Sequence, residues 1–206
     1  METTSPPPAP ARNRSGLIIG IIIALLGCMC LLALLIAGAV TLLRSDSISL
    51  SKWQSYTNQK IGFSVSYPSD WVYEENENGV TLASSQAVLD EGPDSGGAGL
   101  AVMYFPSQYL PSTPVEFINY LAGSGEWGNT QITGPINELK VNDYPAASAE
   151  LTSFDEMEGL TYHMQVTVIL VPEAYYVLVG VSLQDEWSTH EATLRRIAKS
   201  LKISQP

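Results

Sequence analysis

The apolar and polar positions follow two different rules along this chain. From Gly16 to Leu43 runs a stretch of 28 residues with no charge, whose most polar members are Cys28, Cys30 and Thr41. Wound as a helix it would extend about 42 Å, against a bilayer hydrocarbon core of about 30 Å. Only a helix or a closed barrel satisfies its own backbone in lipid, so residues 16–43 are predicted to form one transmembrane helix. The surplus length is taken up by tilt or by ends that reach the headgroups.

Beyond Trp53 the period shortens. Phe63, Val65 and Tyr67 alternate with Ser64 and Ser66, as in a half-buried strand closed by Pro68. Trp71-Val72-Tyr73 and Val80-Thr81-Leu82 flank Asn78-Gly79, which predicts a hairpin. Leu100 to Phe105 is apolar on both faces and reads as a central strand. Between them, residues 90–99 (Asp-Glu-Gly-Pro-Asp-Ser-Gly-Gly-Ala-Gly) read as a flexible acidic loop. At Pro111 to Gly123 the pattern becomes helical. Thr113 is placed to cap, Pro114 to begin, Glu116 to close a capping box, and Phe117, Ile118 and Leu121 to form the apolar side.

Strands resume at 136–141 and 144–154, joined by Asn142-Asp143. Leu160, Tyr162, Met164, Val166, Val168 and Leu170 then alternate with Thr161, His163, Gln165 and Thr167. Pro172-Glu173 turns the chain into Tyr175–Leu183, apolar on both sides, and these long strands are predicted to be antiparallel neighbours. A final helix is predicted from Glu186 to Lys202. Trp187, Leu194, Ile197, Ala198 and Leu201 share one of its faces, and Arg195, Arg196, Lys199 and Lys202 complement its dipole. The expected fold class is α+β: an antiparallel sheet flanked by helices, preceded by one transmembrane helix.

Composition divides the same way. The 206 residues carry a net charge of −11 with a mean hydropathy of +0.08, an odd pairing for one region. From Ser45 onward there are 20 acidic and seven basic residues, so this part alone carries 7 − 20 = −13. Such a surface excludes a nucleic-acid partner. Residues 1–15, with Pro6-Pro7-Pro8 and Pro10, read as a disordered tail, 44–52 as a linker and 53–204 as one domain. Both cysteines lie in the apolar run, so the domain has no disulfide.

The apolar run is too long for a cleaved signal, despite Ala37-Gly38-Ala39, and it continues past Cys28, which argues against a lipidated cysteine there. It therefore reads as a signal-anchor. Arg12, Arg14 and the amino terminus crowd one flank, while Arg44 and Lys52 are spread along the other. This sets the N-terminus in the cytoplasm and the domain outside, single-pass in the cell membrane. Gly16, Gly20, Ala24 and Cys28 share a helix face, the geometry of a weak homodimer, although glycine is common in membrane helices for plainer reasons.

No constellation for catalysis emerges. Gly123-Ser124-Gly125 lacks the spacing of a nucleophile elbow. His163 reads as a polar-face strand residue and His190 as a surface or groove residue, neither in a metal-ligand pattern. Asp155-Glu156-Met157-Glu158 and the 90–99 loop lack the calcium-loop order and read as solvated turns, and no Lys-Ser/Thr follows the glycines to cradle phosphate. No catalytic, cofactor-binding or metal-binding residue is assigned, and no cofactor is expected.

Tyr56 and then Gly62-Phe63-Ser64-Val65-Ser66-Tyr67-Pro68-Ser69-Asp70-Trp71 resemble the opening of PsbP-like domains, and Ile197-Ala198-Lys199-Ser200-Leu201 resembles their terminal helix. The resemblance spans roughly Trp53 to Ile203. It implies an α-β-α sandwich used mainly to bind proteins or assist assembly, as in the photosystem II subunits and a branch that binds a small nuclear GTPase. Bacterial relatives are often membrane-tethered. The fused anchor and the lack of matching metal-associated positions mean that a photosynthetic role is not implied. The expected function is a membrane-anchored extracytoplasmic protein-interaction or assembly-accessory module without catalytic activity. The alternative is a small-ligand or metal-binding extracytoplasmic domain, which requires a polar-lined cavity between helix and sheet.

Overall fold

A computed structural model describes residues 52–204 except residue 126. The predicted tail 1–15, transmembrane helix 16–43 and nearly all of the linker 44–52 lie outside the described residues. Within them, no helix is long and apolar enough to cross a membrane.

Two antiparallel sheets make the domain. The large one has the order β3(Val72–Asn76), β4(Gly79–Ala83), β5(Ala98–Pro106), β10(Ala174–Leu183), β9(Leu160–Val171), β8(Tyr144–Asp155), β6(Asn129–Ile132). β7(Asn137–Val141) pairs with the other half of β8's outer edge. The small sheet is β1(Trp53–Asn58), β2(Phe63–Pro68) and β11(Lys202–Ile203). Three helices complete it: α1(Gln86–Glu91), α2(Pro114–Gly123) and α3(Trp187–Lys199).

The alternation seen in the sequence sorts residues between two cores. On β10, Tyr176 and Leu178 point to one core, whereas Tyr175, Val177 and Val179 point to the other. The first core lies beneath α3 and the small sheet, where Phe63, Leu194 and Ile197 are fully buried. The second lies beneath α2 through Phe117, Ile118 and Leu121. Full burial of each such side chain is worth about 1.5–3 kcal/mol. Helices on opposite faces of one sheet give the expected α-β-α layering. Leu194 of α3 packs directly over Gly180 of β10, where a Cβ would meet it at an ordinary contact distance of 3.4 Å.

Several local readings hold. Thr113 caps α2, its hydroxyl accepting from Glu116 N at 3.2 Å. Glu116 in turn accepts from Ser112 Oγ at 2.9 Å, which holds its carboxyl below the usual range. Asn142 and Asp143 both take positive φ (48° and 69°), the turn that joins β7 to β8.

Others need correction. Residues 90–99 are not one flexible loop. Ser85 caps α1 by accepting from Val88 N, a 3₁₀ turn covers Pro93–Ser95, and Ala98 and Gly99 belong to β5. Val88 is the one buried residue of α1, too little for the short helix to show as a periodic pattern. The terminal helix stops at Lys199 rather than Lys202. Ser200 Oγ accepts from Ser66 N at 2.8 Å, and Lys202 and Ile203 pair with Ser64 and Phe63 as a strand. Gly79 lies in β4 rather than in the hairpin turn, because Asn76 pairs directly with it.

Tyrosines fill much of both cores. Burial raises the phenols of Tyr56, Tyr67, Tyr162, Tyr175 and Tyr176 above their ordinary value, Tyr176 to about 12. The unfolded chain ionises these phenols near pH 10, whereas the fold keeps them neutral. Their stabilising contribution is therefore whole below pH 10 and is lost as pH climbs towards 12. A phenolate absorbance titration should show a group of late-ionising tyrosines that shifts back to about 10 in denaturant. A single step near 10 in the folded chain would contradict this.

Candidate functional site

Helix length against sheet width decides where surface is left open. Ten residues of α2 extend about 15 Å. Seven strands side by side span about 30 Å. The α2 helix packs on β8, β9 and β6 and reaches the Tyr175 end of β10 and the Phe105 end of β5 through Phe117, leaving open the same face of β4 and of β10 at Val179 and Val181. The result is a groove in two continuous compartments of about 380 and 460 Å3 that share Trp127, Met164 and Val181.

The groove is built from apolar pieces of distant segments. Ala101, Met103 and Val179 form the floor of the first compartment, with Val88, Leu89 and Pro93 on one side. Trp127 is set by its own loop, where its carbonyl accepts from Ser153 Oγ at 2.6 Å and from Thr130 Oγ1 at 2.7 Å. The second compartment continues past Tyr162 to Phe154 and Met157. Phe154 is 44% exposed and Met157 94% exposed, so the rim presents large apolar groups to solvent.

Carboxylates border this surface. Asp155 and Glu156 line the second compartment beside Tyr162, whose phenol is raised first by burial and then by Asp94, Asp155 and Glu158. Asp155 also holds the β8–β9 turn, its Oδ1 accepting from Met157 N at 2.8 Å and Glu158 N at 3.2 Å. The Asp155 carboxylate is thus committed to the backbone of its own turn. Among the described residues, no three His, Cys, Asp or Glu side chains converge as a metal site.

His163 lies mid-strand in β9 on the face opposite Met164 and Val166, as the alternation predicts. It is buried under α3, stacked on Trp187 with ring centroids 4.1 Å apart and planes 15° apart. Its Nδ1 lies 3.2 Å from Gln184 Oε1 and its Nε2 3.3 Å from Glu150 Oε2. Glu150 also pairs with Arg195, which bonds Glu191 Oε1 at 2.7 Å. This chain of contacts clamps α3 to β8 and β9 and brings no nucleophile to the imidazole. His190 lies 3.9 Å from Glu186 Oε2, half-buried on α3, apart from that cluster. Of the terminal cations, Arg196 stacks over the Trp53 ring at 4.0 Å. No buried side-chain nitrogen or oxygen among the described residues lacks a hydrogen-bond partner.

Sequence reasoning singled out neither the groove nor Trp127. The signal that bears on it is Tyr175–Leu183, apolar on both faces, followed by too little helix to cover it.

No protein-family model matches the sequence, and no curated protein sequence does. Solved structures do match in shape. Cyanobacterial PsbP (CyanoP) from Synechocystis aligns over 76% of this chain and 95% of its own, with 13% identity and a TM-score of 0.52. LpqN of Mycobacterium tuberculosis, described as involved in cell envelope biogenesis, aligns over 78% and 96%, with 15% identity and a TM-score of 0.50. The Saccharomyces cerevisiae Ran-binding protein Mog1p aligns over 74% and 96%, with 10% identity and a TM-score of 0.50. The chain has a PsbP/Mog1-like fold. At these identities the likeness establishes the fold and nothing about partners or ligands.

Proposed function

We propose that this protein is a membrane-anchored, extracytoplasmic docking module without catalytic activity, held by residues 16–43 and binding a protein through the groove beside α2. The single observation that carries this reading is the groove itself, an apolar channel ending in exposed Phe154 and Met157 and bordered by carboxylates. Its occupant is a protein segment with an apolar ridge and basic flanks, because carboxylates repel an acidic segment within a Debye length of about 8 Å. Support also comes from Mog1p, a protein of this fold that is described as Ran-binding.

The full chain, crosslinked and purified from its native membranes, should carry a discrete partner. A Phe154→Asp/Met157→Asp variant should lose it, with affinity falling about 30-fold, as expected when an apolar contact centre is removed. Lys199→Gln, exposed on α3 over the opposite face of the sheet, should retain it. Equal recovery from both variants would contradict docking in the groove. Protease added to intact cells should remove the domain and spare the N-terminal tail. Protection of the domain would contradict the orientation.

A further inference from the structure

On the other face of the sheet, a second concavity of about 390 Å3 lies between the β1–β2 turn, the ends of β5, β9 and β10, and β11. We propose that this cavity binds a small monocarboxylate with a flat apolar body. Three tyrosines drawn from distant strands, Tyr104, Tyr144 and Tyr176, line it together with Lys60. Tyr104 and Tyr176 meet edge to face at 5.4 Å. Burial raises the Tyr176 phenol first, and the neighbouring phenols of Tyr104 and Tyr144 add to it. Ile61, Val171, Pro172 and Ile203 supply apolar walls.

The cavity is held rigid by contacts that leave polar groups over. Asn58 Oδ1 accepts from Lys60 N at 3.0 Å and Ile61 N at 3.2 Å, fixing the β1–β2 turn. Tyr176 donates its hydroxyl proton to Ile61 O and so ties that turn to the large sheet. Asn142 Oδ1 accepts from Ile203 N at 3.0 Å, which fixes the opposite wall. Lys60, however, makes no ion pair among the described residues. The Tyr104 hydroxyl likewise donates to no described residue. The ammonium only donates and the phenol can donate as well as accept, so an anionic acceptor satisfies both at once. The ring-lined walls call for a flat apolar body behind it.

Size and charge narrow the class. The volume lies at the lower end of the roughly 300–1,000 Å3 typical of small-molecule sites. A polyphosphate would meet the repulsion of 13 net negative charges with only Lys60 beside it, whereas a single carboxylate is matched by that one ammonium. This site is independent of the docking groove, which opens on the opposite face.

The test uses the full chain in detergent micelles, with 3-phenylpropionate, its uncharged amide and phenethylammonium as probes, followed by calorimetry and saturation-transfer NMR. The carboxylate should bind saturably below millimolar concentration. The amide should bind about tenfold more weakly and the cation not at all. Lys60→Gln should weaken the carboxylate about tenfold and leave the amide unchanged, and Tyr104→Phe, which keeps the ring, should weaken the carboxylate several-fold. No saturable binding of 3-phenylpropionate, equal affinity for acid and amide, or an unchanged acid affinity in Lys60→Gln would overturn the proposal. The comparison of acid with amide on the unaltered chain requires no variant to fold.

Discussion

Gly79→Ala should be the most damaging small substitution in the domain, costing about 3 kcal/mol or more and lowering Tm by about 10 °C. A Cβ at this position would stand 1.8 Å from the Val102 carbonyl oxygen and 2.9 Å from its carbon, both backbone atoms of β5. No side-chain rotation relieves such a clash. The β4–β5 ladder, in which Gly79 faces Met103, has to open. That movement would also displace Thr81 and Ala83, which line the groove. Gly134→Ala is the matched control, since a Cβ there meets nothing within 4 Å. Thermal melts of the full chain followed by circular dichroism should separate the two variants clearly. A Gly79→Ala melt within a degree of the control would show that β4 and β5 are not in this register.

Phe117→Ala should cost about 4 kcal/mol, at the upper end for an aromatic truncated in a packed core. Phe117 is 2% exposed and meets Tyr175 at 4.8 Å and Phe105 and Tyr120 at 6.2 Å, ring centre to ring centre. It is the main apolar bolt between α2 and the sheet, beside Ile118 and Leu121. Its loss leaves a void that Tyr175 cannot fill, because the Tyr175 hydroxyl is held by Pro111 O at 2.6 Å. Phe117→Leu should recover most of the stability, which denaturant unfolding would measure. If Ala and Leu unfold at the same denaturant concentration, ring packing is not what holds α2.

The elements with strong periodicity were legible in the sequence. Strands β2, β5, β8, β9 and β10 and helix α2 lie within a few residues of where alternation and capping put them. The missed strands are short or polar. β1 reads Trp-Gln-Ser-Tyr-Thr-Asn, and only Tyr56 and Asn58 are buried. β6 reads Asn-Thr-Gln-Ile and has no fully buried residue. Such edge strands are specified by a partner's unpaired backbone rather than by their own side chains. The same holds for β11, which continued the helical pattern of α3 until a place beside β2 captured it. His163 is on the polar face that alternation gave it, but the sequence pattern did not reveal that α3 covers this position and stacks Trp187 on the ring.

The candidate sites were less legible. Trp127, Phe154 and Val181 have no shared spacing, and only the fold puts them around one groove. What exposes it is a mismatch between a ten-residue helix and a wide sheet, a property of the assembly rather than of any motif. Tyr104, Tyr144 and Tyr176 likewise sit on three strands, and each alone reads as ordinary core or edge.

Docking through the groove is most directly tested by photo-crosslinking in intact cells, with a benzoylphenylalanine at position 157 in one chain and at position 199 in another. Both positions are exposed; 157 borders the groove, whereas 199 lies on α3 over the opposite face of the sheet. A discrete protein adduct formed from 157, absent from 199 and abolished by Val181→Asp in the groove floor, is the outcome expected of a docking module. Equal labelling from both positions, or an adduct from 157 that survives Val181→Asp, would contradict it.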